Sequence, residues 1–178
     1  MKAFLRVLLV IFIGGSLVRI FLIDSFSVSG DSMAPTIQDG DYVFISKLAY
    51  WRADPARGDI VVSTLPGHTS QHIIKRVIAL PGERIQIAHD RVSLKNNRED
   101  QWTPLEEKYI HLAVSDEKQI KDLGITYINI DPKEYFAMGD NRMVSIDSRE
   151  LGAINRWDIK GKVVFKISFK SGLKASFY

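Results

Sequence analysis

The chain has 178 residues, of which 46% are hydrophobic and 25% charged, with a formal net charge of +3 and no cysteine. Such a length suits one compact domain plus an anchor, and the lack of cysteine excludes disulfides, thiolate metal sites and cysteine catalysis. The small, scattered basic excess argues against a nucleic-acid surface, which gathers Lys and Arg into one patch, and no tract has the composition of a disordered segment.

Lys2 and Arg6 precede an apolar run from Val7 to Val18; Arg19 interrupts it, and Ile20-Phe21-Leu22-Ile23 resumes it before Asp24. Residues 7–23 approach the roughly 20 residues a transmembrane helix needs. The sequence therefore predicts a membrane anchor over residues 1–24, its N-terminus cytoplasmic by the positive-inside rule. Arg19 then snorkels to the outer interface, and residues 25–178 form an extracytoplasmic domain. The competing reading is a cleaved signal peptide, since Ser25-Phe26-Ser27 and Ser27-Val28-Ser29 both carry small residues at cleavage-site spacing. The apolar stretch beyond Arg19 favours a retained span.

After Asp24 the pattern turns from helical to extended. Phe26-Ser27-Val28 alternates, and Asp39-Gly40-Asp41 marks a turn before the strand Tyr42-Val43-Phe44-Ile45. Asp54-Pro55 and Arg57-Gly58-Asp59 bracket a loop before Ile60-Val61-Val62, and Pro66-Gly67 marks another turn. Gln71 to Leu80 reads as a long strand ended by Pro81-Gly82, and Arg84 to Ala88 alternates cleanly. Residues 89–133 are less regular, with a hairpin turn at Asn96-Asn97 and a short helix from Ser115 to Leu123, and read as an excursion from the β-core. The core resumes at Tyr135–Met138, turns at Gly139-Asp140-Asn141 and closes with Gly161–Phe169. The expected fold class is mainly β: short antiparallel strands after one N-terminal transmembrane helix.

Three clusters carry candidate chemistry. Ser32 lies between Gly30-Asp31 and Met33-Ala34-Pro35, so its hydroxyl is expected to emerge from a turn, with the Ser32 amide aimed where an oxyanion forms. An ordinary surface-turn serine has the same local composition. On an extended Gln71–Leu80, Lys75 shares a face with Ile73, Val77 and Ala79. Desolvation there lowers an amine from its usual ~10.4 and makes it a base, although a lysine on an edge strand also guards against aggregation. Arg76 points oppositely and needs an anion. Asp147 and Arg149 are spaced to brace a loop through a charge-assisted pair, and Ser145 is placed to hydrogen-bond a neutral lysine; a polar surface loop is the alternative. His68, His72, His89 and His111 show no metal-ligand spacing, and Gly139 opens no phosphate-binding loop, so neither metal nor cofactor is expected.

In this order, these clusters resemble the bacterial type I signal peptidases: Ser29–Ile37, Gly40–Lys47, Arg57–Val61, Lys75–Glu83, then Met138–Arg142 with Ser145, Asp147, Ser148 and Arg149. The resemblance implies Ser32 as nucleophile and Lys75 as general base. It implies Ser145 as support for the lysine, Asp147 with Arg149 as a bracing pair, and Asp140 as partner of Arg76. Gly30 stands where some members carry a serine that supplies a second oxyanion donor, so the hole would rely on the Ser32 amide with backbone or water. Met143 and Val144 depart from the polar residues many members carry.

An extended substrate segment is expected to add as a strand beside Phe26–Ser29 and the strand before Lys75, and by the same resemblance Val28, Met33, Ile37, Ile73 and Ile74 line shallow pockets for small side chains. The implied partners are exported preproteins and the lipid bilayer, at the outer face of the bacterial cytoplasmic membrane. A dedicated pilin peptidase serving one secretion or conjugation apparatus is the alternative. Self-cleaving repressors share a Ser-Gly-x-Ser-Met box but carry a DNA-binding module where this chain is apolar. A membrane-tethered β-domain that binds a partner requires Ser32 and Lys75 to be accidental.

Overall fold

The computed structural model describes residues 2–65, 68–88, 91–96, 100–110, 125–169 and 173–178. A helix, α1 (Lys2–Phe21), leads into β1 (Ile23–Ser27), β2 (Tyr42–Ser46), β3 (Ile60–Leu65), β4 (His68–Ala79), β5 (Glu83–Ala88) and β6 (Arg91–Asn96). There follow β7 (Thr103–Pro104), β8 (Thr126–Asn129), β9 (Glu134–Met138), the one-turn α2 (Ser148–Leu151), β10 (Ile154–Asn155), β11 (Ile159–Ser168) and β12 (Lys174–Phe177). The larger sheet runs β1-β2-β11-β3-β4-β9-β10, with β12 on β11, and the smaller runs β7-β6-β5-β8. Every pairing is antiparallel.

The unbroken apolar run of β3 follows from its central place. Ile60 and Val62 pack with Met33, Ile37, Val43, Ile45 and Val163, whereas Val61 packs on the other side with Val77, Tyr135, Ala137, Ile154 and Ile159. A strand covered on both faces needs no polar alternation. A third cluster joins the two sheets: Ile78 and Ala79 of β4 and Phe136 and Met138 of β9 meet Ile85, Val92, Leu94 and Ile130.

That third cluster alters the reading of residues 89–133, whose described parts include β6, β7 and β8. In Arg91–Asn96 the alternation is present, with Val92 and Leu94 buried between exposed or half-buried polar residues, but it is short and polar enough to pass for a loop. The expected helix from Ser115 to Leu123, His89, His111, the Pro66-Gly67 turn and the second residue of the Asn96-Asn97 turn lie outside the described residues.

Among the described residues, no helix is long and apolar enough to cross a membrane, so the structure does not confirm the span expected over residues 7–23. The charges of Lys2, Arg6 and Arg19 fall within α1, which leaves only Val7–Val18 uninterrupted, short of the ~20 residues required. Ile23, expected to end the span, pairs instead with Ser46 in the sheet. The side chain of Arg19 lies outside the described set.

Candidate active site

The segment bearing Ser32 joins β1 to β2 and is tied down at both ends. Val28 N–H donates to Asp41 O at 2.8 Å and Gly40 N–H to Val28 O at 3.0 Å, prolonging the ladder past the strands. The chain then reverses at Gly30, whose φ of 95° falls in the region glycine tolerates. Beyond it a tight turn forms, with Ala34 N–H on Asp31 O at 3.0 Å and Ile37 N–H on Met33 O at 2.9 Å. Met33 and Ile37 are buried in the core, each contributing about 2 kcal/mol to holding the turn down. Ser32 is thus a half-buried residue on a pinned turn, unlike a mobile surface serine.

β4 brings Lys75 to this turn. It pairs with β3 through Lys75 and Val61, and Lys75 is 4% exposed, so a solvent-facing, edge-guarding lysine is not what stands here. Lys75 Nζ lies 2.7 Å from Ser32 Oγ. Burial, assisted by the charge of Arg149, pushes the ammonium down from its ordinary 10.5 to about 8, against the opposing pull of Asp147 and Asp140. A weakened acid in contact with a hydroxyl is the arrangement proton abstraction requires.

The loop after β9 closes the other side. Asn141 N–H donates to Ser32 O at 3.0 Å. Asp147 accepts from Gly139 N–H at 2.9 Å and from Arg149 Nε at 2.9 Å. Burial pushes the Asp147 carboxyl up, but the Arg149 hydrogen bond and charge and the Gly139 amide outweigh it, so its net shift is downward. Arg149 also donates to Arg142 O at 2.7 Å. Ser145 is buried, and its Oγ has no hydrogen-bond partner among the described residues; it makes no bond to Lys75.

Arg76 donates to both oxygens of Asp140, at 2.8 and 2.6 Å, and Thr36 Oγ1 donates to the same carboxylate at 2.5 Å. Arg76 also stacks over the Tyr109 ring at 4.1 Å. Tyr109 OH donates to Glu107 at 2.6 Å, and Glu107 in turn pairs with the buried Arg142, whose Nε donates to Gly139 O at 3.1 Å.

Four of these residues escaped the reading of the sequence as site components. Glu107 and Tyr109 reach the loop only through the fold, and no local pattern announces them; Thr36 lies in the Ser29–Ile37 stretch but drew no role there. Gly139 did carry a signal, but as a turn residue. Its actual constraint is proximity, since a Cβ there would stand 2.3 Å from Ser32 O and 2.3 Å from Ser145 Oγ.

A cleft of about 640 Å³ opens over Ser32 and Lys75, lined by Phe26, Val28, Met33, His72, Ile73 and Ile74 together with Asn141, Val144 and Ile146. Ile37 is absent from it, being fully buried beneath the Ser32 turn; an apolar residue inside a turn packs inward as readily as it lines a pocket. His72 sits with its ring 5.2 Å from that of Phe26. Gly30 is likewise no oxyanion donor: its N–H is engaged by Asp39 Oδ1 at 3.0 Å. Among the described residues no group of three or more His, Asp or Glu is placed to hold a metal ion.

The sequence model for signal peptidase, peptidase S26, matches residues 1–168. Signal peptidase I P of Bacillus subtilis subsp. natto is 37% identical over 166 residues, covering 90% of this chain and 83% of its own. Signal peptidase IB of Staphylococcus aureus is 30% identical over 168 residues, covering 88% of this chain and 84% of its own. A solved signal peptidase I from Enterococcus faecalis V583 is 24% identical over 62% of this chain and 97% of its own, with a TM-score of 0.49. The family match and the Bacillus and Staphylococcus relatives set aside the self-cleaving repressor and the partner-binding β-domain: the chain belongs to the signal peptidase family, peptidase S26, and is a serine endopeptidase.

Proposed function

We propose that this protein removes N-terminal signal peptides from exported preproteins, with Ser32 as nucleophile and Lys75 as general base. The observation that carries the reading is the 2.7 Å approach of Lys75 Nζ to Ser32 Oγ in a buried setting. Neutral Lys75 takes the hydroxyl proton as Ser32 Oγ bonds to the scissile carbonyl carbon, and the carbonyl oxygen becomes an oxyanion. The Ser32 N–H, which makes no hydrogen bond among the described residues, is the donor available to that oxygen. When the C–N bond breaks, the Lys75 ammonium returns the proton to the leaving amine, which departs as the mature N-terminus. Lys75 then draws a proton from water, whose oxygen attacks the ester and frees Ser32.

The segment before the scissile bond lies extended in the cleft between Phe26–Ser29 and Ile73–Ile74, pairing with strand edges there. The shallow apolar lining suits small side chains. Asp147 with Arg149, and Asp140 with Arg76, hold the loop that faces the nucleophile, and Ser145 fills the space behind Gly139. The chemistry calls on no metal or cofactor.

We also place the enzyme at the outer face of the cytoplasmic membrane, its N-terminus cytoplasmic and its catalytic domain outside. In α1 the apolar side chains from Phe4 to Ile13 are all exposed, a surface that lipid covers more favourably than water does. Lys2 and Arg6 at its start favour the cytoplasmic side.

The test is incubation of the purified protein in detergent with a panel of preproteins and one pilin precursor, followed by mapping of the cleavage sites. Cleavage after small residues at signal-peptide boundaries, lost in Ser32→Ala and Lys75→Ala, is the expected result. Cleavage by folded Ser32→Ala overturns the nucleophile, and cleavage of the pilin precursor alone overturns the general preprotein substrate. Release of the protein by alkaline carbonate overturns the anchor.

A further inference from the structure

From Val144 to Asp147 the loop after β9 alternates between side chains left outside and side chains locked inside. Ser145 is 5% exposed and Asp147 0%, whereas Val144 and Ile146 are each 60% exposed. The loop is not free to turn them inward, because Arg149 holds the Arg142 carbonyl at 2.7 Å and Asp147 holds the Gly139 amide at 2.9 Å. Two β-branched apolar side chains are therefore presented outward by a braced backbone, next to the exposed Met143. Both line the cleft that contains Ser32 and Lys75.

Topology says which part of a substrate meets them. β4 is paired with β9 only from Arg76 onward, through Arg76 with Met138, Val77 with Ala137 and Ala79 with Phe136. Before Arg76 the β9-side edge of β4 carries no strand among the described residues, and the loop after Met138 leaves β9 at the point where that free edge ends. A peptide extended beside residues 72–74 reaches Ser32 and Lys75 and then runs out over this loop. Val144 and Ile146 thus face the leaving-group side of the scissile bond.

We propose that Val144 and Ile146 form a specificity subsite for an apolar side chain in the first two residues after the scissile bond, so that this enzyme favours preproteins whose mature N-terminus begins with an aliphatic residue. The inference rests on the proposed function and adds a substrate preference to it. Contact with a large aliphatic group at a partly open apolar wall changes kcat/KM by about tenfold relative to a polar residue of smaller size.

The experiment uses soluble peptides identical up to the scissile bond, with Leu, Ser or Asp in the first two positions beyond it, cleaved by the full-length protein in detergent. For the wild type, kcat/KM with Leu should exceed that with Ser about tenfold. In Val144→Ser/Ile146→Ser the ratio should fall to near one, and in Val144→Lys/Ile146→Lys the Asp peptide should become the preferred one. A wild type without preference overturns the proposal, as does a Leu-to-Ser ratio that survives both double variants. So does an effect seen only with vesicle-embedded substrate, which would assign the pair to lipid contact. All of these outcomes require cleavage, so they are distinct from failure of the Ser32 and Lys75 reading, in which no peptide is cut in a manner dependent on those residues.

Discussion

Gly139 lies so close to the carbonyl oxygen of Ser32 that a Cβ would come within 2.3 Å of it. Ser145 closes the gap from behind, with its Oγ also 2.3 Å from that Cβ position. Neither neighbour can yield cheaply, because one is backbone of the Ser32 turn and the other a buried side chain on a braced loop. Gly139→Ala should therefore shift Ser32 relative to Lys75 and lower kcat at least 100-fold, since a displacement of about 1 Å at a reacting group costs that much. Peptide cleavage beside a circular dichroism spectrum checks it; activity near wild type would show that the loop accommodates a methyl group.

The rate should rise with pH along a limb centred near 8, where Lys75 gives up its proton. Only the neutral amine accepts the Ser32 proton, so each unit below that point costs about tenfold in kcat/KM. A profile from pH 5 to 10 measures it, and a flat profile excludes Lys75 as the base. Lys75→Arg should be inactive throughout, since guanidinium stays charged.

Lys75 also makes the fold less stable than it need be. Its folded value of about 8 lies below its ordinary 10.5, so between these values the unfolded chain binds more protons and stability rises with pH; below about 8 the full cost of burying the ammonium is present. Lys75→Met should therefore stabilise the protein at pH 6–7 by roughly 3 kcal/mol while abolishing cleavage. Urea denaturation at pH 6.5 and at pH 10 tests both the sign and the fading of the gain at high pH.

Glu107 should matter to stability although it lies far along the chain from the loop it holds. It pairs with Arg142, whose side chain is 0% exposed, while its own is 8% exposed. Removing the carboxylate takes from a buried guanidinium its counter-charge, and Glu107→Ala should cost about 3 kcal/mol. The midpoint of chemical unfolding reports it, and a cost below about 0.5 kcal/mol would show that Arg142 is held mainly by its other contacts.

The strands of the larger sheet were legible in the chain because each rests on local rules. Residues 42–45 and 135–138 carry β-formers between turn residues, and the Gly and Pro positions that end them act over two or three residues. Ser32 and Lys75 each stand in a stretch that locally also fits a turn serine or an edge lysine, and only the order of the matched stretches along the chain singled them out. What the sequence alone determined is thus mostly what neighbours in the chain impose on one another. Tertiary structure decided the rest. Ser32 and Lys75 are 43 positions apart, and only the β3-β4 pairing and the buried Met33 and Ile37 bring their side chains to 2.7 Å. The lowered ammonium of Lys75 is a property of its burial, which no window of sequence contains. Glu107 and Tyr109 join the site because the smaller sheet packs over Phe136 and Met138. Ile37 was sent to a pocket by its position beside the serine, and packing sent it to the core instead. For α1 the sequence predicted a membrane span over residues 7–23, but the sheet claimed Ile23 and so set where the helix stops. Contacts between distant residues depend on which surfaces remain uncovered once the whole chain has folded, and local composition does not encode that.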